Sequence, residues 1–212
     1  MKVLVVSEGI HELGSEHPGS ERISPLSRLV ERICGDAITL ELSHAKLNDP
    51  RRARVQQGKG GPFLKKTLAW LREAEREGHE ALVLVMDRDG DSSRIRQFDE
   101  AQADSRIGLR RAFGVAIRSF DAWILADETA LSKALGAQVP CQKSPEEDPD
   151  PKETCIGLCK SSPTPPRLRD LYADVLGAVS IDRLEERCPN GFGPFRKRVE
   201  ALTRPLPKSP AI

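Results

Sequence analysis

The sequence predicts an α/β protein in which helices flank a mostly parallel β-sheet. Two short apolar runs, at residues 3–6 and 81–86, have the uninterrupted hydrophobicity that is typical of strands buried on both faces. Segments whose apolar residues recur at helical spacing alternate with such runs. This alternation favours parallel strands joined by crossover helices, because two parallel strands need a long return connection.

Each element follows from a local pattern. Apolar side chains form one helical face at Leu26, Leu29, Val30 and Ile33. Gly78 ends the helix that begins near Phe63, since glycine is common just beyond a helix end. The predicted order is strand 3–6, helix 26–33, strand 37–42, helix 63–71, strand 81–86, helix 95–103 and strand 115–117.

The composition changes at about residue 138. The α/β domain is predicted to span residues 1–137, and seven prolines make residues 138–166 a long loop or linker. A C-terminal helical appendage is predicted over 167–204, with helices at 168–176, 181–186 and 192–202. Residues 205–212 are predicted to be a tail.

Charge and cysteine content exclude several classes of protein. The formal net charge of +1 argues against a globally basic nucleic-acid binder, so such binding needs a local patch. No run approaches the roughly 18 apolar residues of a membrane span, and we expect a cytoplasmic protein. Five cysteines without a secretion signal suggest reduced thiols. A zinc site is the alternative for four of them, Cys141, Cys155, Cys159 and Cys188.

Acidic residues follow two of the predicted strands. Asp87, Asp89 and Asp91 alternate in the segment VLVMDRDGD, and Glu8 follows the first strand. Ligands collect at the carboxyl ends of parallel strands, so these acids face one crevice if the two strands are neighbours. Mg²⁺ prefers oxygen ligands and binds through one or two carboxylates, which makes it the predicted cation, with Mn²⁺ as a substitute. The alternative is an acidic strand end that makes turn and cap hydrogen bonds.

The spacing of the acidic segment is similar to that of two other known motifs. A calcium-binding EF-hand loop starting at Asp87 would need Gly and Glu where the chain has Ser92 and Phe98, and is excluded. Haloacid dehalogenase-like phosphatases carry D-x-D-G-[TV] after a strand, with the first Asp as the nucleophile. DRDGD differs from that pattern at Asp91 and lies on the third strand, and the phosphatase remains an alternative.

Three segments together resemble a known family. VVSEGIHELG, VLVMDRDGD and SFDAWILAD, in this order and spacing, are similar to the DUF4276 family of Toprim-like proteins. That family is related to the Toprim nucleases of the overcoming-lysogenization-defect proteins. The resemblance covers roughly residues 1–135, with weaker matches at DPK (150–152) and CPNGFGPF (188–195).

The resemblance implies a Toprim-like, Rossmann-like domain and a role for each acid. It implies that Glu8 is the catalytic Glu, that Asp87 and Asp89 are metal ligands, and that Glu12 adds a ligand. Asp121 stands where the similar proteins commonly have Glu, which leaves its role as a ligand open. The implied function is a Mg²⁺-dependent nuclease, acting on DNA with an ATPase partner in defence against phage or plasmids. A non-catalytic Toprim-like binding module is the alternative.

Further residues are candidates from their chemistry. His11 is a candidate general base or phosphate contact, although a loop histidine is often only solvated. The segment 51–66 carries six cations and no acid, namely Arg51, Arg52, Arg54, Lys59, Lys65 and Lys66. Arg110 and Arg111, with Arg106, form a second cluster. If both clusters flank the carboxylates, they form a phosphate track, a positively charged surface that contacts the phosphates of a nucleic acid without sequence specificity. Otherwise they are solvated charges.

Overall fold

A computed structural model describes residues 1–13, 24–55 and 60–204 of the chain. Four strands form one sheet: β1 (Lys2–Ser7), β2 (Glu41–Lys46), β3 (Ala81–Asp87) and β4 (Arg110–Ala116). Their order is β2-β1-β3-β4, and all three pairs of neighbours are parallel. The predicted α/β class with a parallel sheet is confirmed.

Within the described ranges, ten α-helices surround or extend this sheet. Those of the first half are α1 (Ile10–Leu13), α2 (Pro25–Cys34), α3 (Pro62–Arg76), α4 (Ser93–Ala103) and α5 (Asp121–Leu125). Those of the second half are α6 (Glu128–Leu135), α7 (Pro151–Ser161), α8 (Leu168–Ala178), α9 (Ile181–Arg187) and α10 (Phe192–Leu202). Two short 3₁₀ helices lie at Gly35–Ala37 and Pro145–Glu147. The described part of the chain contains no helix with the length and apolar character needed to cross a membrane.

The sheet divides the core into two layers because successive strand residues point to opposite faces. Val3 and Val5 pack with α2 and with the helices from α5 onward, whereas Leu4 and Val6 pack with α3 and α4. The same alternation holds along β3. Burial on both faces explains why β1 and β3 appear in the sequence as uninterrupted apolar runs.

The predicted second and fourth strands are displaced from the observed ones. The strand predicted at 37–42 lies at Glu41–Lys46, because an edge strand with exposed polar residues such as Ser43 and His44 lacks an apolar run. The strand predicted at 115–117 begins five residues earlier, at Arg110. Two arginines at its start and Gly114 in its middle conceal the apolar pattern.

The proline-rich segment 138–166 was predicted to be a long loop or linker, but α7 lies within it. Proline is tolerated in the first turn of a helix, and Pro151 begins α7 with Asp150 as its N-cap, which accepts a hydrogen bond from the Glu153 amide (3.0 Å). Cys155 of this helix is buried in the core.

The C-terminal helices lie directly against the sheet. Gly114 of β4 and Phe195 of α10 approach so closely that a Cβ at Gly114 would lie 2.7 Å from the Phe195 ring. Glycine is therefore needed at this position for α10 to pack on β4. One hydrophobic layer contains residues of the strands and of α8, α9 and α10 together.

Candidate active site

A cavity of about 610 Å³ lies at the carboxyl edge of the sheet. β1 and β3 are neighbours there, with Ser7 paired to Val85, so the acids that follow the two strands are brought close together. The cavity is lined by Gly9, His11, Glu12, Asp87, Asp89, Gly90, Arg118, Ser119, Asp121, Pro149, Asp150, Pro151, Lys152 and Tyr172.

Asp87 is the last residue of β3 and is mostly buried in this cavity. Its Oδ1 accepts a hydrogen bond from the Phe120 amide at 2.7 Å. Burial is the main cause that raises the pKa of the Asp87 carboxyl to about 8, and the nearby carboxylate of Glu12 contributes to the same shift. A buried acid surrounded by other acids favours the binding of either a proton or a cation.

Asp89 lies in the turn after β3, with a φ of 48° that places its backbone in the left-handed region. Gly90, with a φ of 75°, completes the turn. Arg94 of α4 donates a hydrogen bond to Asp89 Oδ2 (2.9 Å) and another to the Asp87 carbonyl. Arg94 therefore supplies positive charge beside the acidic segment.

Glu8 borders the cavity of Asp87 and Asp89, since its carboxylate accepts a hydrogen bond from the Asp87 backbone and, besides burial, the charge of Asp89 helps to raise its pKa. It lies in the loop after β1 and lines an adjacent cavity of about 520 Å³ together with Lys65 and Lys66. Its Oε2 is 3.7 Å from Arg94 Nη1 and is buried without a hydrogen bond. Burial raises the pKa of the Glu8 carboxyl.

Glu12 is buried and faces the cavity from α1. Ser7 Oγ and the Gly9 amide (2.7 Å) both donate to its Oε2. A Cβ at Gly9 would lie only 2.2 Å from Glu12 Oε1, so the fold of this loop requires glycine there. Burial raises the pKa of Glu12 despite these hydrogen bonds.

Asp121 lies at the start of α5 and is buried. The hydroxyl of Tyr172, from α8, donates a short hydrogen bond to its Oδ1. Burial beside Asp121 raises the pKa of the Tyr172 phenol, which keeps the phenol a hydrogen-bond donor. This contact orients the Asp121 carboxylate at the cavity wall, and nothing in the sequence pattern indicated Tyr172.

His11 also faces the cavity, with its ring edge-on to Tyr172 at a centroid distance of 6.0 Å. Burial lowers the pKa of His11, and the charge of Lys152 lowers it further. A neutral imidazole is thereby favoured near neutral pH, and it can accept a proton or a hydrogen bond.

Other acids of the resembling segments lie outside the cavity. The carboxylate of Asp91 accepts a hydrogen bond from the Ser93 amide (2.9 Å) at the start of α4, and a metal-binding role for Asp91 stays a prediction. Asp127 is the N-cap of α6 and accepts from the Thr129 and Ala130 amides. Trp123 and Leu125 are fully buried in the core.

The cavity also contains cations that sequence reasoning did not select. Arg118 comes from the loop after β4, and Lys152 comes from the first turn of α7. Lys152 belongs to the DPK segment, a weaker match to the similar family whose three residues all line the cavity. Tyr172 and Arg118 depend on how α8 and the β4–α5 loop pack, which local patterns do not reveal.

The first predicted basic cluster is divided between two places. Lys65 and Lys66 lie at the beginning of α3, beside Glu8. Arg51 and Arg54 lie instead along the later half of α3, where they line a third cavity with Arg72, Glu73 and Arg76. Arg52 forms ion pairs with Glu73 and Glu77, and Lys59 lies outside the described residues.

The second basic cluster does not flank the carboxylates. Arg110 begins β4 opposite Ala81, the first residue of β3, so it lies at the amino edge of the sheet. Arg111 donates hydrogen bonds to the carbonyls of Asp104, Ala101 and Ile107 and holds that loop. The condition for a phosphate track formed by both clusters is therefore not met, because Arg110 and Arg111 lie at the amino end of β4.

The cavity carboxylates fit a hard divalent cation. Glu12, Asp87, Asp89 and Asp121 supply oxygen donors, which Mg²⁺ prefers. No group of three His, Cys, Asp or Glu side chains in the described residues is arranged as a metal cage. Mg²⁺ usually keeps several waters and binds through one or two carboxylates, so it does not need such a cage.

The cysteines are free thiols. Burial raises the pKa of Cys155 and Cys188, and their thiols lie 3.8 Å and 3.6 Å from the carbonyls of Asp121 and Ala122. Cys141 is exposed. This arrangement matches ordinary packed thiols and gives the zinc alternative no support.

The raised pKa of Asp87 predicts a pH dependence of stability in the presence of a chelator. The folded chain keeps this proton up to about pH 8, whereas the unfolded chain loses it near the ordinary value of 3.8. Between these two pH values the folded chain binds one proton more than the unfolded chain. The free energy of unfolding should therefore fall as the pH rises, by up to about 1.4 kcal/mol per pH unit. Urea unfolding of the wild type and Asp87→Asn across this range isolates the effect, and identical pH profiles would contradict it.

Comparison of the chain with protein-family models, with curated proteins and with solved structures finds no match in any of the three. Evidence for a function therefore comes from the cavity's own residues and their geometry.

Proposed function

We propose that the chain is a Toprim-like, Mg²⁺-dependent hydrolase of nucleic-acid phosphodiesters. The observation that carries the proposal is the convergence of five carboxylates on one cavity at the carboxyl edge of a parallel sheet, namely those of Glu12, Asp87, Asp89, Asp121 and Asp150. In addition to burial, the charges of Glu12 and Asp121 both raise the pKa of Asp87, and the charge of Asp121 also raises the pKa of Glu12. Such mutual repulsion is relieved by a divalent cation.

Asp87 and Asp89 would hold the cation, with Glu12 and Asp121 beside them. Mg²⁺ or Mn²⁺ bound there would polarise a phosphodiester and acidify a water molecule. The chain's own contribution is orientation, because the Phe120 amide fixes Asp87 and the Tyr172 hydroxyl fixes Asp121.

Glu8 and His11 are the candidates for proton transfer. Glu8 has a raised pKa and a buried Oε2 without a hydrogen bond, so it is suited to accept a proton from an attacking water. Its place between the acidic cavity and Lys65 and Lys66 suits a base beside a bound phosphate backbone. His11 has a lowered pKa and is available as a second acceptor.

DNA is the proposed substrate, and an ATPase is the proposed partner in defence against phage or plasmids. Lys65 and Lys66 supply local positive charge beside Glu8 in a chain with little net charge. The partner and the biological role come from the family resemblance alone.

The test is cleavage by the purified full chain, with and without an ATPase encoded beside its gene. Substrates are supercoiled plasmid, single-stranded DNA, RNA and a phosphomonoester, each with Mg²⁺, Mn²⁺ or a chelator. We expect cleavage of a nucleic acid only with metal, and a loss of about a hundredfold or more in Glu8→Ala. Glu41→Ala is the matched control, since it removes an exposed carboxylate at the opposite edge of the sheet.

Two outcomes would replace the proposal. Hydrolysis of the monoester that survives Glu8→Ala but is lost in Asp87→Asn would indicate the phosphatase, whose first Asp is the nucleophile. No metal-dependent turnover on any substrate with the partner present would indicate a binding module.

A further inference from the structure

Backbone strain is concentrated at the cavity. Among the described residues, three non-glycine residues have a positive φ: Ala53 at 47°, Asp89 at 48° and Arg118 at 64°. Two of the three, Asp89 and Arg118, line the carboxylate cavity. Left-handed backbone is costly for residues with a Cβ and clusters at functional sites, where the surrounding structure maintains it.

Arg118 is the less expected of the two. Aspartate tolerates the left-handed region because its short side chain bonds to the local backbone, but arginine has no comparable compensation. Glycine would adopt this φ without cost. The chain nevertheless has an exposed arginine here, and its guanidinium makes no hydrogen bond or ion pair within the described part of the chain. Packing and internal hydrogen bonds therefore give no reason for arginine at this position.

The loop that carries Arg118 is tied to the acidic group. Phe120, two residues later, donates its amide to Asp87, and the Arg88 amide donates to the Ala116 carbonyl at 2.9 Å. These two bonds hold the ends of the 117–119 loop beside the DRD segment. The backbone of Arg118 is thus kept at the cavity by the same contacts that orient Asp87.

Lys152 brings a second cation to the cavity from a distant part of the chain. It lies in the first turn of α7, next to Asp150, whose carboxylate is engaged as the helix N-cap. Its ammonium is exposed, so it is accessible to a ligand in the cavity. Two accessible cations therefore share one cavity with five carboxylates, one of which, that of Asp150, caps α7.

We propose that Arg118 and Lys152 form an anion site that holds the phosphoryl oxygens of the substrate beside the carboxylates. This inference rests on the proposed function and specifies its substrate contact as a phosphodiester group. Arginine binds phosphate through two parallel hydrogen bonds, and lysine adds a point charge. Because the carboxylates repel an anion, occupancy of this site requires a divalent cation in the same cavity.

The test is binding of a short fluorescent oligothymidylate to the full chain, measured by anisotropy with Ca²⁺, Mg²⁺ or a chelator. Arg118→Gly removes the guanidinium and suits the backbone, whereas Arg118→Gln removes the charge and keeps the strain. We expect both variants, and Lys152→Gln, to bind about tenfold more weakly with metal, while Arg118→Lys retains most of the affinity. Arg110→Gln is the matched control, because it removes one arginine at the opposite edge of the sheet.

Thermal unfolding separates a ligand contact from a structural role. Arg118→Gly should unfold at the same temperature as the wild type or higher, since glycine relieves the left-handed backbone. Wild-type affinity in Arg118→Gly, or failure of the wild type to bind the oligonucleotide with any metal, would overturn the anion site.

The two proposals fail in different ways. Metal-dependent binding that is lost in Arg118→Gly, without cleavage by the wild type, would support the anion site and remove the nuclease. Cleavage by Arg118→Gly with unchanged kcat and KM would leave the nuclease and remove the anion site.

Discussion

Asp87→Asn is expected to abolish metal-dependent turnover and most Mg²⁺ affinity without weakening the fold. Asparagine has nearly the shape of aspartate and can still accept the hydrogen bond of the Phe120 amide. It removes the negative charge that we propose as the main ligand, so turnover should fall by about a hundredfold or more. Calorimetric titration with Mg²⁺ and Mn²⁺, together with turnover, measures both effects.

The stability of this variant gives an independent check. Above about pH 8 the wild-type Asp87 carries a buried charge in the absence of metal, and the asparagine does not. The variant should therefore be at least as stable there. Glu41→Gln is the matched control, because Glu41 is an exposed carboxylate at the opposite edge of the sheet. Unchanged Mg²⁺ affinity in Asp87→Asn would move the metal site elsewhere.

Trp123→Ala is expected to lower the free energy of unfolding by about 3 to 5 kcal/mol, the usual cost of deleting a large buried aromatic side chain. Trp123 is fully buried in α5. Its ring lies 5.1 Å from Phe120 and 5.4 Å from both Phe192 and Phe195 of α10. Trp123 therefore connects two parts of the fold, namely the loop that orients Asp87 and the last helix, α10.

Chemical denaturation followed by circular dichroism measures this loss. We expect one cooperative transition in both proteins, because sheet and C-terminal helices share a hydrophobic layer. Trp123→Phe should lose less, since it keeps an aromatic ring in the space. Two separate transitions, with only one shifted by the substitution, would indicate an independent C-terminal unit.

The parts of the fold that the sequence predicted are those where one local pattern decides the outcome. β1 and β3 are central strands, so burial on both faces appears directly as apolar runs. Asp87 and Asp89 were identifiable because they interrupt such a run. The edge strand β2 and the helix α7 were misplaced or missed, since exposure in one and prolines in the other obscure the pattern.

The remaining parts of the candidate site depend on tertiary packing. Tyr172 is 51 positions from Asp121, and only the docking of α8 brings the two together. Glu8 follows β1 as expected and lies beside Asp89, but its position next to Lys65 and Lys66 depends on how α3 packs. Arg110 was a candidate phosphate contact, but its position at the amino edge of the sheet, away from the cavity, depends on the register of β4 with β3.

The Tyr172–Asp121 contact also has a consequence for synthesis on the ribosome. Asp121 emerges 51 residues before the tyrosine that orients it. At translation rates of about 5 to 20 residues per second, the interval is about 3 to 10 s. During that time the acidic strand ends are already present, but the wall formed by Lys152 and Tyr172 is incomplete. A nascent chain therefore presents exposed carboxylates before it has a finished cavity, and the cavity is complete only after α8 has been translated and docked.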